Sequence, residues 1–231
     1  LLSHTLNLTW ILVLIAGIPI ASYLTIRQEE ILQLPRKSLY FSAAVSQWLL
    51  ALLTILIGLT ASGGWKRFQR IELSSFLAWT AGLTAVSLAG MGLALLFENR
   101  GWWPKESRWV LHLLPQTRQE KIWSVLVLAP TAGFCEELIY RGYLLSQLSR
   151  CFHSVDAAWT VSSLAFGLAH LYQKPSGALR AAALGALLAY PVIRLGTIFP
   201  SMAAHFLIDV LALVWLGPAS LPQQADAQSG S

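Results

Sequence analysis

Two glutamates stand side by side in an otherwise apolar run, Ala129-Pro130-Thr131-Ala132-Gly133-Phe134-Cys135-Glu136-Glu137-Leu138-Ile139-Tyr140-Arg141. On a helix, Glu137 and Arg141 are four residues apart and face each other, so they can pair as ions. Glu136 is turned about 100° away and points elsewhere. One carboxylate is then held as structure while its neighbour stays available for proton transfer. Pro130 and Gly133 loosen the helix just before the pair. Two later runs add imidazoles. One is Phe166-Gly167-Leu168-Ala169-His170-Leu171, and the other is His205-Phe206-Leu207-Ile208-Asp209. His205 and Asp209 share a helical face, where the Asp can orient the His and fix its tautomer.

Left unpaired in lipid, these six ionisable groups would cost on the order of 10–20 kcal/mol, comparable to the stability of a whole domain. They must meet one another or a water-filled cavity. Such an inventory can do hydrolysis: a carboxylate with an imidazole deprotonates water, and a second imidazole stabilises the oxyanion. It can also hold Zn²⁺, with Glu136, His170 and His205 as candidate ligands, or relay protons in a transporter. The HExxH helix signature is absent, so a zinc site would have to be assembled across helices.

The elements that must position these groups are apolar segments at roughly 6–26, 40–62, 76–97, 122–148, 155–172, 177–193 and 198–216. Each is long enough to be read as a membrane span. Lipid cannot satisfy open backbone groups, so they are helices. The sixth is the shortest and carries Arg180 near its start. An eighth, interfacial helix fits between 99 and 121, where Trp102, Trp103 and Trp109 suit a headgroup belt. The expected fold is all-α, a polytopic transmembrane bundle of about 7–8 spans. Residues 1–121 would form N-terminal helices and loops, 122–217 the helices that carry the chemistry, and 218–231 a disordered polar tail.

Composition agrees. The chain has 231 residues, of which 55% are hydrophobic and only 12% charged, against about 25% charged in soluble domains. The net charge of +5 sits in connections between apolar runs, as topology requires, and gives no clustered surface for nucleic acid. Connections one, three and five hold three, five and two Lys or Arg, and connections two, four and six hold three, one and one. That excess puts the odd connections and the C-terminus in the cytoplasm. Cys135 and Cys151 make neither a disulfide framework nor a thiolate metal cage. The first apolar stretch, after Leu1, is read as a retained span rather than a signal peptide. Internal repeats of the transporter kind are not evident. Small size suits a bacterial inner membrane.

Glu-Glu-x-x-x-Arg over 136–141, Phe-x-x-x-His over 166–170 and His-x-x-x-Asp over 205–209, in this order, resemble the three motifs of the CAAX protease and bacteriocin-processing family (CPBP, or Abi). This family includes the type II CAAX prenyl endopeptidases. The resemblance covers 130–216; the first three spans match only in being hydrophobic. It implies a glutamate-type intramembrane endopeptidase. Glu136 would be the general base, with His170 assisting, Glu137 and Arg141 supporting, and His205 with Asp209 forming the oxyanion hole. The family often has Asn at that last position. A protonated Asp209 could donate like Asn, whereas an ionised one would suit orienting His205 or binding a metal. The implied substrate is a membrane-associated protein or peptide in a lipid bilayer. No cofactor is required on this reading, with Zn as the alternative. A non-proteolytic membrane scaffold and a proton-coupled transporter are the competing functions.

Overall fold

The structure is a computed structural model that describes residues 2–60 and 68–216. The expected polar tail, 218–231, and the basic pair Lys66 and Arg67 lie outside the described residues. Within them the chain is an all-α bundle. We number its helices α1 (Ser3–Thr25), α2 (Arg36–Thr60), α3 (Leu73–Asn99), α4 (Arg108–Leu113), α5 (Arg118–Phe152), α6 (Val155–Leu168), α7 (Leu171–Leu195) and α8 (Phe199–Val214).

Five of these, α1, α2, α3, α5 and α7, are long and apolar enough to cross a membrane. α6 and α8 are apolar but shorter. The even set of seven spans read from hydropathy therefore divides into five long helices and two short ones. The sixth apolar run, expected to be the shortest, belongs to a 25-residue helix. Its polar first turn, around Gln173 and Lys174, hides that length from a hydropathy reading. Arg180 is accommodated there by ion pairs to Glu98, at 2.6 Å, and to Glu106. Burial holds the Glu106 carboxyl above its ordinary range, against the pull of Arg180. The helix expected between 99 and 121 is present as α4, but Trp109 is buried while Trp102 is exposed.

Local sequence sets the boundaries. Thr117 and Glu120 form a reciprocal capping box: Thr117 Oγ1 accepts from the Glu120 N–H, and Glu120 Oε2 from the Thr117 N–H. α5 ends at His153, in the left-handed region with φ of 51°. Ser154 then caps α6 by accepting from the Ala157 N–H. α7 stops at Gly196, φ of 70°, a conformation that suits glycine. Near the start of α7, where a tight turn over Leu171–Gln173 joins the regular helix, Lys174 has φ of 68° and ψ of 169°, a region almost confined to glycine.

α5 is the centre of the bundle. Its residues Cys135, Leu138, Ile139, Tyr140, Tyr143, Leu144, Leu145 and Leu148 form one core cluster with Trp10, Ile11 and Leu14 of α1 and with Ala165 and Phe166 of α6. A smaller cluster of Leu83, Leu188, Ala204 and Ile208 joins α3, α7 and α8. Polar pegs cross between helices: Trp10 Nε1 donates to Thr54 Oγ1 at 3.0 Å, Ser162 Oγ to the Tyr140 carbonyl at 3.0 Å, and Ser201 Oγ to the Leu188 carbonyl at 2.7 Å. Each satisfies a group that apolar surroundings would otherwise leave unpaired.

Candidate active site

The site starts with a distortion in α5. Pro130 has no N–H to return to the preceding turn, and the helix widens around it. N–H groups reach back five residues instead of four across Ala132–Glu136 and again across Leu138–Leu144. Single widened turns of this kind recur at functional sites. The loosening expected from Pro130 and Gly133 is thus present. Gly133 also sets a helix approach, since a Cβ there would stand 2.8 Å from the Phe206 backbone nitrogen. Only glycine lets α8 come this close to α5, and that closeness carries His205 to the glutamates.

Glu137 and Arg141 pair as the four-residue spacing predicts, 3.0 Å apart, with side chains 0% and 1% exposed. Arg141 also donates from Nη2 to the Gly185 carbonyl of α7 at 3.2 Å. Its guanidinium lies 4.2 Å from the Phe166 ring centre of α6. One cation is therefore held by three helices. A buried pair of this kind specifies an arrangement more than it adds stability, because desolvation offsets much of the attraction.

Glu137 has a further partner, His205, whose Nδ1 lies 2.9 Å from its Oε1. A carboxylate accepts, so Nδ1–H donates and Nε2 is turned toward the other groups. Nε2 is 3.9 Å from Glu136 Oε2 and 3.8 Å from Asp209 Oδ2. Helical spacing pointed to Asp209 as the group that orients His205. That contact is made instead by Glu137, because the orienting nitrogen faces α5 and not the next turn of α8. Asp209 stands on the open side of the ring.

The Glu136 side chain is 12% exposed, in contrast to its fully buried neighbour. Its Oε1 accepts from Gln47 Nε2 of α2 at 2.7 Å. His170 sits in the turn after α6, partly exposed. Its Nδ1 is 2.8 Å from the Phe166 carbonyl. A carbonyl can only accept, so Nδ1 carries the proton and Nε2 of the neutral ring has a free lone pair. The Phe166 ring packs 4.7 Å from the His170 ring and 6.1 Å from that of His205.

Glu136, Glu137, Arg141, His205 and Asp209 thus form one contiguous cluster. Among the described residues His170 makes no polar contact with it and joins only through Phe166. Also among the described residues, no group of three or more His, Cys, Asp or Glu side chains is arranged to hold a metal ion. Both cysteines are free thiols, Cys135 buried and Cys151 exposed.

Sequence reasoning missed Gln47, the ring of Phe166 as the common wall of Arg141 and both imidazoles, and the Gly185 carbonyl. Gln47 left one signal, as the single side-chain amide in the apolar run 40–62.

Residues 118–211 match the family model described as Rce1-like, type II CAAX prenyl endopeptidase Rce1-like. No match was found among curated proteins or among solved structures. The matched stretch holds all six ionisable site residues, and it is similar to the CAAX protease family that the three motifs resemble.

Proposed function

We propose that this integral membrane protein is an endopeptidase that hydrolyses a peptide bond of a membrane-associated protein or peptide. The observation that supports this most is the unequal treatment of two adjacent carboxylates. Glu137 is fully buried in an ion pair and a hydrogen bond, whereas the Glu136 side chain is 12% exposed with Oε2 facing His205 Nε2 across 3.9 Å. A gap of that size is too long for a direct hydrogen bond and suits a bridging water.

On this reading Glu136 takes a proton from that water as its oxygen attacks the carbonyl carbon. His170, with its free Nε2, assists the proton transfer. The tetrahedral oxyanion is met by His205 in its doubly protonated form, through Nε2–H, and by Asp209 when protonated. The proton on Glu136 then passes to the departing amine as the C–N bond breaks. Glu137 and Arg141 hold His205 in register. The substrate's chemistry, prenylated or not, is left to experiment, and a bacterial inner membrane is the setting proposed.

Cleavage of membrane-anchored and prenylated peptides by purified protein, compared with Glu136→Ala, tests the reading, each with and without a strong chelator. Loss of at least about 100-fold in the variant, with no effect of chelator, is the expected result. Loss in both, restored by Zn²⁺, would replace glutamate-activated water by a metal-bound one. A Glu136→Ala protein that cleaves as well as wild type would sink the proposal and favour the scaffold function.

A further inference from the structure

The carboxylate that this chemistry needs is held by a residue outside the matched stretch. Gln47 donates from Nε2 to Glu136 Oε1 at 2.7 Å. Beside it, Trp48 donates to Thr131 Oγ1 at 3.1 Å and stacks on Phe134 with ring centres 5.3 Å apart. Two consecutive residues of α2 therefore clamp the widened turn of α5 that carries Glu136.

The other end of the Gln47 amide is different. Its carbonyl oxygen Oε1 is buried and has no hydrogen-bond partner among the described residues. A buried acceptor without a donor is destabilising, and an apolar side chain of similar length would pack there without that loss. Packing alone does not account for an amide at this position. Its N–H fixes one oxygen of Glu136 and leaves the other facing His205. Its carbonyl lies on the same planar group, so an unfilled acceptor stands beside the reacting carboxylate. An extended peptide seated against Glu136 brings a backbone N–H donor to that acceptor once the groups that cover Gln47 Oε1 move aside.

We propose that Gln47 is a positioning residue for Glu136, and that its free carbonyl oxygen accepts one backbone N–H of the bound peptide. The second part rests on the endopeptidase reading.

The test uses the full chain in detergent and Gln47→Met, which keeps the length of the side chain and removes the amide. For a cleaved peptide, kcat falls about 10–100-fold as Glu136 loses its fixed orientation, and KM rises. A scan of singly N-methylated peptides then finds one backbone position where methylation raises KM for wild type and leaves it unchanged for Gln47→Met. Wild-type kcat and KM in Gln47→Met overturn the proposal. A scan in which no position distinguishes the two proteins overturns the acceptor role. Melting temperatures of Gln47→Met, Glu136→Ala and the double variant read the contact without substrate. A double shift smaller than the sum of the single ones supports the hold on Glu136, and additive shifts overturn it. Should wild type cleave no peptide, the endopeptidase reading fails and takes the acceptor role with it, while the melting temperatures still decide the hold on Glu136.

Discussion

The first three helices and the last four meet the same solvent in different ways. In the most apolar windows of α1, α2 and α3, 22–28% of residues are buried, against 44% in α5 and 39% in α7. The ionisable side chains follow that division: Glu136, Glu137, Arg141, His205 and Asp209 all lie on α5 and α8. The early helices present Leu, Ile and Val outward and, away from the charged residues at their ends, use neutral hydrogen bonds such as Trp10 to Thr54. Charge is tolerated where several helices can surround it, and the outer helices supply part of that surround. The division is not absolute, because α2 sends Gln47 into the site.

The comparison breaks most easily at Arg141. Arg141→Leu leaves the buried Glu137 with His205 as its remaining partner and should destabilise by about 3–5 kcal/mol, read as unfolding in detergent. Glu137→Leu/Arg141→Leu should recover much of that. If the single variant loses no more than Thr54→Val on the outer helices, the two regions do not differ as described. Thr54→Val leaves the Trp10 N–H unpaired and should cost about 1–3 kcal/mol.

Glycines sharpen the contrast. Gly133→Ala forces α8 away from α5 and should cost about 1–3 kcal/mol, with a larger proportional loss of cleavage because His205 moves. Gly82 of α3 has nothing within 4 Å of its added Cβ. Gly82→Ala should raise stability by about 0.5–1 kcal/mol. The same substitution thus changes sign between the two regions.

Among the described residues, non-glycine backbone in the positive-φ region is also confined to the site half. Lys174→Gly should stabilise by about 1 kcal/mol, the relief of an unfavourable backbone offset in part by glycine entropy. A fall in cleavage alongside that gain would mean that the strained turn holds His170 in place.

The smallest effect sits at the seam, where Glu98 and Glu106 meet Arg180. The folded protein holds the Glu106 proton more tightly than the unfolded chain does. Stability is then insensitive to Glu106 below pH 4.5, its ordinary value, and falls as pH rises from there through the raised one. Glu106→Gln should flatten that slope in melting temperature against pH.

Glu137 with Arg141 was legible in the chain because both partners lie on one helix, where spacing alone fixes their contact. Glu137 with His205 was not, since 68 residues and two helices separate them. Spacing instead suggested Asp209, the nearest acid on the same face. Gln47 escaped because a search for charge passes over a neutral amide. Apolar runs located seven helices, with bounds within a few residues for all but α7, which is longer than its run. Arg180 interrupts the apolar run without interrupting the helix, once it has Glu98 and Glu106.

α6 has only 14 residues, so it is about 21 Å long. A typical hydrocarbon core is about 30 Å thick. The bilayer must thin around this side of the protein, or water must follow the helix ends inward, each at a modest cost per ångström of mismatch. Either response brings the aqueous phase nearer to His170 and His205, which sit at the end of α6 and on α8. Acyl-chain length then becomes a control on activity: vesicles of short-chain lipids should support faster turnover than vesicles of long-chain lipids, with the protein itself unchanged.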